Sequence, residues 1–217
     1  MTTQSEKDIS ILLVDDHPST RAGLRAMIEK TNDMCVVGEA ENGDEARRLL
    51  AELRPKIILL DLVMPGFSPF AFEKWARENY PGTATLVLTS HDRDVYLAEM
   101  MEAGAAGYLD KSIREEGLID AIRRAASGEN LFDESQKLRA QGWHRDIEKK
   151  WNSLSDREKG ILRLLAMGAS NKSISKDLNV TPKTVEKHLE RIYQKLDVTS
   201  RAEAALWGNE HRRDFPY

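Results

Sequence analysis

Asp15 and Asp16, Asp61, Thr89 and Lys111 each stand at the end of a short apolar run, at 9–14, 56–60, 84–88 and 106–109 respectively. If the runs are neighbouring strands, three carboxylates, one hydroxyl and one ammonium meet in one crevice. Carboxylates held together repel, and a hard cation with oxygen ligands relieves that repulsion; Mg²⁺ fits best. The ammonium and the hydroxyl suit an incoming phosphoryl group, one by charge and one by hydrogen bonding. A single polar strand end would mean little. Five of matching chemistry argue against coincidence. His17 and His91 flank these residues and read as polar loop residues at the rim of the crevice.

The elements that must position these groups alternate in kind. Apolar runs at 9–14, 34–37, 56–60, 84–88 and 106–109 each precede an amphipathic stretch, at 18–30, 42–53, 69–79, 93–103 and 113–127. Nearly continuous apolar strands between helices predict a parallel sheet covered on both faces. Ligands of such sheets bind at the carboxyl ends of the strands, where the five polar residues lie.

The chain has 217 residues, enough for one large or two small domains, and 41% are hydrophobic. No run approaches the ~18 apolar residues of a membrane helix, and Met1–Ser10 lacks the basic start and apolar stretch of a secretory leader. One cysteine, Cys35, excludes an internal disulfide and a cysteine-rich zinc site and reads as a buried strand residue. Together these features predict a cytoplasmic protein. Charge is uneven. Residues 1–130 carry 15 Lys/Arg against 23 Asp/Glu, and residues 153–217 carry 12 against 9. An acidic first part and a basic last part predict two domains with different partners.

The motifs Val14-Asp15-Asp16-His17-Pro18, Val37-Gly38-Glu39-Ala40, Asp61-Leu62-Val63-Met64-Pro65-Gly66, Leu88-Thr89-Ser90-His91 and Gly107-Tyr108-Leu109-Asp110-Lys111 resemble the receiver domain of two-component response regulators. The resemblance implies a flavodoxin-like, doubly wound (βα)5 fold of the α/β class, strand order 2-1-3-4-5, over residues 1–130. It implies that Asp61 accepts a phosphoryl group from a sensor histidine kinase or a small phosphodonor. Asp16, Asp61 and the backbone carbonyl of Val63 would ligate Mg²⁺, with Asp15 acting through water. Lys111 would pair with phosphoryl oxygens. Thr89 would turn inward to bond one of them, and Tyr108 would follow from an exposed to a buried rotamer. The resemblance makes His91 at most a modulator of phosphoryl lifetime. Phe67-Ser68-Pro69-Phe70 departs from the Asp-Gly pair that many relatives carry after Pro-Gly.

Residues 131–152 are polar and mixed in charge, with Trp143, Ile147 and Trp151 four residues apart. They predict either a short amphipathic helix docked on a domain or on a second copy, or a flexible tether. From 153 onward four helices are marked by caps: Ser155 with Glu158, Ser170, Thr181 before Pro182, and Ser200 with Glu203. Val185, Leu189, Ile192 and Leu196 form one buried stripe. Lys183, Lys187, Arg191 and Lys195 form a basic stripe suited to phosphates and base edges.

Leu154-Ser155-Asp156-Arg157-Glu158, Gly168-Ala169-Ser170-Asn171-Lys172-Ser173-Ile174, Thr184-Val185-Glu186-Lys187-His188 and Lys195-Leu196-Asp197-Val198-Thr199-Ser200-Arg201 look like the LuxR-type helix-turn-helix. Residues 153–217 would then be an all-α four-helix DNA-binding domain. Lys172, Thr181, Lys183, Thr184, Glu186, Lys187, Glu190, Arg191 and Lys195 are the expected DNA contacts. Glu186 and Glu190 depart from relatives; they either read a cytosine amino group or pair with Lys183 and Lys187. His188 is expected to be structural, and the fourth helix, with Ala204, Ala205 and Trp207, to dimerise the domains on DNA. Receiver plus LuxR-type domain is the NarL/FixJ class. The resemblance implies a transcription regulator whose phosphorylated form is a homodimer on double-stranded promoter DNA. It leaves RNA polymerase open as a further contact. It implies no enzyme activity beyond the receiver's own phosphoryl transfer and autodephosphorylation. Two rivals stand beside it. A Mg-dependent phosphoaspartate hydrolase would carry its nucleophile in an Asp-x-Asp pattern after the first strand, where this chain has Asp15-Asp16-His17. A receiver-like module acting without phosphorylation would not need all five site residues.

Overall fold

The computed structural model describes residues 8–211. The first seven residues, on which part of the leader argument rests, lie outside that range. The chain divides into two compact units at Trp143/His144.

In the first unit β1 (Ile9–Val14), β2 (Met34–Ala40), β3 (Ile57–Leu60), β4 (Ala84–Thr89) and β5 (Gly107–Asp110) form one parallel sheet in the order β2-β1-β3-β4-β5. The helices between and after them are α1 (Pro18–Glu29), α2 (Gly43–Leu53), α3 (Pro69–Asn79), α4 (Asp94–Ala103) and α5 (Glu115–Ala126). Alternation along each strand serves two cores. Leu12, Val14, Ile58, Leu60 and Val87 face Leu50, Phe72 and Leu97 on one side. Ile11, Leu13, Ile57, Leu59 and Leu86 face Leu24, Ile28, Leu118 and Ile122 on the other. Each such side chain contributes ~1.5–3 kcal/mol by leaving water, so register is tightly specified.

β2 runs three residues past the expected end, because Gly38 and Glu39 continue the ladder against Leu12 and Leu13. A Cβ on Gly38 would come within 2.7 Å of Leu53 Cδ1, so a larger residue there would push the end of the exposed Leu53 side chain aside. Cys35 is on this edge strand but only half-buried, unlike the expectation, because β2 has a neighbour on one side alone. At the Phe67–Phe70 departure, Ser68 caps α3 by accepting from Ala71 N, and Phe67 packs against Phe72 at 5.5 Å between ring centroids.

The linker forms α6 (Glu134–Ser153), which contributes residues to both units. The helix alternative therefore holds. Within the second unit Ile147 is buried, and Trp151 stacks on Trp207 at 6.5 Å and 14°, with the Lys159 ammonium 5.1 Å from its ring.

α7 (Asp156–Ala166), α8 (Asn171–Asp177), α9 (Pro182–Leu196) and α10 (Arg201–Glu210) complete the second unit. Ser155 and Glu158 form the expected capping box, and Ser170, Thr181 and Ser200 cap as expected. Glu203 differs: it accepts from Thr199 N at 2.7 Å instead of closing a box with Ser200. A tight turn with Asn179 at φ 51° joins α8 to α9. On α10, Ala204 and Trp207 are buried in their own unit and Ala205 is half-buried; the large apolar side chain that the helix exposes is Leu206, at 57%.

One buried charge is not well served. Glu73 on α3 is fully buried, its Oε2 has no hydrogen-bond partner, and Arg77 reaches Oε1 only at 3.4 Å. Burial pushes its carboxyl above the usual range, against the pull of Thr85 and Arg77. The folded chain therefore binds that proton more tightly than the unfolded chain. The stability this contributes is complete below the unfolded value and is lost as pH rises through the folded one. Glu73→Gln is expected to stabilise the protein by about 1 kcal/mol at pH 8, and to give no gain near pH 4. Urea unfolding of both proteins across that range measures the difference.

Candidate functional site

The parallel register brings the ends of β1, β3, β4 and β5 to one edge. Asp61 N donates to Val14 O at 2.8 Å, and Lys111 N donates to Thr89 O at 2.9 Å, so the sheet itself carries the groups that follow the strands. Lys111 Nζ lies 2.7 Å from Asp15 Oδ2 and 3.1 Å from Asp61 Oδ1. Both carboxylates are buried. Burial pushes Asp61 above its usual range; the Lys111 ammonium opposes that, and the Asp15 charge adds to it. For Lys111, burial works against the charge, but the two carboxylates win and hold it raised.

Asp16 stands beside them with Oδ1 buried and without a hydrogen bond; His17 Nδ1 approaches it at 2.8 Å and bonds Asp15 Oδ1 at 3.1 Å. Asp15, Asp16, His17 and Asp61 each offer an atom within 4.8 Å of the others. Clustered carboxylate oxygens, one of them unsatisfied, fit a hard divalent cation. A cleft of about 380 Å³ opens onto the group, lined by His17, Thr20, Asp61, Val63, Ser90, His91 and Lys111. Both histidines thus lie at the rim, as expected.

Thr89 is buried, and its Oγ1 accepts from His91 N at 3.0 Å. Tyr108 is also buried, in the inward position, and its hydroxyl donates to His91 O at 2.9 Å. Burial, with the charge of Asp92, pushes that phenol well above its ordinary range. Two further residues join this face that sequence alone does not single out. Gln136 Nε2 donates to Tyr108 O at 2.9 Å, and Arg139 forks across Asp92 and Asp94 at 2.7–3.0 Å. Their partners lie 28 to 47 residues away in sequence, beyond any local pattern.

In the second unit α9 buries Val185, Leu189, Ile192 and Leu196 and exposes Lys183, Glu186, Lys187, Glu190 and Arg191. Among the described residues no ion pair joins these five to one another or to a neighbour. Lys172 on α8 is exposed, and Thr184 Oγ1 is 2.9 Å from that of the capping Thr181. His188 is half-buried, with Nδ1 shielded from solvent. Lys195 stands apart from the stripe. Its ammonium lies 2.7 Å from buried Glu158, tying the end of α9 to the cap of α7. Burial would raise Glu158, but Lys195 and Ser155 hold it below the usual carboxylate range.

Residues 11–123 match the family described as response regulator receiver domain, and residues 152–207 match the bacterial regulatory proteins of the luxR family. The nitrate/nitrite response regulator protein NarL of Escherichia coli K12 is 36% identical over 216 residues, covering 96% of this chain and 98% of NarL. The chain belongs to the NarL/FixJ class of response regulators. This regulator is also 38% identical to the transcriptional regulatory protein LiaR of Bacillus subtilis over 209 residues, 94% of this chain and 98% of LiaR. Among solved structures it is similar to the response regulator RcsB in a DNA complex, with a TM-score of 0.62 and 25% identity over 94% of this chain and 98% of the other. It is similar as well to ChrA of a heme-sensing two-component system, with a TM-score of 0.55 and 32% identity over 95% and 98%. The regulator therefore joins a receiver to a LuxR-type DNA-binding domain and acts in transcription under control of phosphorylation. Among the described residues no helix is long and apolar enough to cross a membrane.

Proposed function

We propose that residues 1–130 take up a phosphoryl group on Asp61 and that residues 153–217 read promoter DNA in response, with 131–152 joining them. The observation that carries this is the Lys111 ammonium placed between Asp15 and Asp61, beside the unsatisfied oxygen of Asp16. An Asp61 oxygen attacks the phosphorus of a phosphohistidine on a sensor kinase, or of a small phosphodonor. The P–N or P–O bond breaks and its electron pair leaves with the donor, giving an acyl phosphate. Lys111, released from the carboxylates, would meet the phosphoryl oxygens, and Thr89 would supply a hydroxyl. Asp16, Asp61 and the Val63 carbonyl would hold Mg²⁺, with Asp15 outside them. When bound, the ion neutralises charge on the phosphoryl group and its acceptor. Release of Thr89 Oγ1 from His91 N would then alter the loop that the Tyr108 hydroxyl also grips. The phosphorylated chain would form a homodimer in the cytoplasm, bind two half-sites and contact RNA polymerase.

On DNA, Lys187 and Glu186 would face base edges, and Thr181, Lys183, Thr184, Glu190, Arg191 and Lys172 would lie along the flanks. Lys195, engaged by Glu158, is better placed to support α9 than to reach a phosphate. The absence of an ion pair between Glu186 and Lys183 among the described residues favours base reading for Glu186, because its carboxylate is free to accept from cytosine.

Asp61→Asn is expected to abolish Mg²⁺-dependent incorporation of phosphoryl from acetyl phosphate. Labelling equal to wild type would show the acceptor to be elsewhere. Selection of random duplexes by wild type and Glu186→Ala tests the second domain. The variant is expected to change one preferred base per half-site, at a cost of ~1–3 kcal/mol on the original site. Identical selected sites with raised non-specific affinity would contradict it.

A further inference from the structure

We propose that Arg21 is a positioning residue for the divalent cation, and so for phosphoryl uptake; this rests on the reading of Asp16 as a metal ligand given above. Arg21 lies one helical turn into α1, and its side chain is only 12% exposed. Its Nη1 donates to the backbone carbonyl of Asp15 at 2.5 Å, and its Nε donates to Glu39 at 3.1 Å. Glu39, on β2, is held in turn by Arg25 Nε at 2.6 Å. Arg25 first, and Arg21 after it, keep the Glu39 carboxyl below its usual range, so Glu39 stays an anion able to grip both guanidinium groups.

The carbonyl that Arg21 holds belongs to the peptide linking Asp15 to Asp16. Asp15 needs no help from it, since Lys111 and His17 N already fix the Asp15 carboxylate. Asp16 is held less firmly: His17 Nδ1 lies 2.8 Å from its buried Oδ1, but that oxygen accepts no hydrogen bond, so the direction of the Asp16 side chain depends on the backbone that carries it. β1 ends at Val14, and beyond it the Asp15 carbonyl has left the ladder. Arg21 takes the place of a strand neighbour and fixes the plane of that peptide. A planar fork bonded at two points holds geometry that a single ammonium cannot.

Mg²⁺ alone, titrated calorimetrically into the full chain, tests the assignment. Loss of a partner that orients a metal ligand typically costs ~10–100-fold in affinity. Arg21→Ala is expected to fall in the lower part of that range, Arg21→Lys to lie between it and wild type, and Glu39→Gln to weaken binding less than Arg21→Ala. Labelling from acetyl phosphate should need correspondingly more Mg²⁺, with the rate at saturating Mg²⁺ largely restored. A role confined to holding α1 against β2 would lower the melting temperature and leave Mg²⁺ affinity unchanged, and that result overturns the proposal. If Arg21→Ala does not fold, Glu39→Gln decides by the same criterion. Failure of the wild type itself to bind Mg²⁺ would instead remove the metal reading on which the proposal stands.

Discussion

Three carboxylates share one crevice with a single ammonium between two of them, and the first unit is organised around that imbalance of charge. Asp15 and Asp61 are buried, and like charges in a poorly solvated site repel strongly unless a cation intervenes. Lys111 partly answers this from β5, the sheet edge opposite β2. The remaining negative charge makes the site receptive to a divalent cation, and the ion with Lys111 makes it receptive to a phosphoryl group. The arrangement requires four strand ends in fixed register. Two continuous cores, one on each face of the sheet, supply that register.

The same strand ends connect the acidic site to α6. Thr89 holds the His91 amide, the Tyr108 hydroxyl holds the His91 carbonyl, and Gln136 holds the Tyr108 carbonyl. Arg139 adds a fork across Asp92 and Asp94. Exposed ion pairs are individually worth little, so the Arg139 fork adds less than its short distances suggest. Within the second unit Trp151 and Ile147 of the same helix pack into the LuxR-type domain. One helix thus supplies side chains to both units.

Much of this was legible in the residues. The five βα units, the caps at Ser155, Ser170 and Thr181 and the convergence of Asp15, Asp61 and Lys111 follow from period, capping chemistry and residue type, which act locally or through one topology rule. Long-range chemistry was less accessible. The Lys195–Glu158 pair spans 37 residues, and in the sequence Lys195 continues a four-residue basic spacing that looks identical to a DNA-facing stripe. Ala204 and Trp207 look available for dimerisation until the packing of α10 on α7 turns them inward and leaves Leu206 outside. The length of β2 was hidden because Gly38 and Glu39 break the apolar run while keeping the ladder. The second alternative for Glu186, pairing with Lys183, could not be weighed without side-chain positions.

The central claim is that the crevice selects one carboxylate, Asp61, as acceptor, while Asp15 and Asp16 serve the cation. Reduction with borohydride converts an aspartyl phosphate to homoserine and leaves free aspartate intact. The full chain, treated with acetyl phosphate and Mg²⁺, reduced and mapped by peptide mass spectrometry, should carry homoserine at position 61 and aspartate at 15 and 16. Homoserine at 15 or 16, or none at 61 under conditions where the chain takes up phosphoryl, would contradict the account.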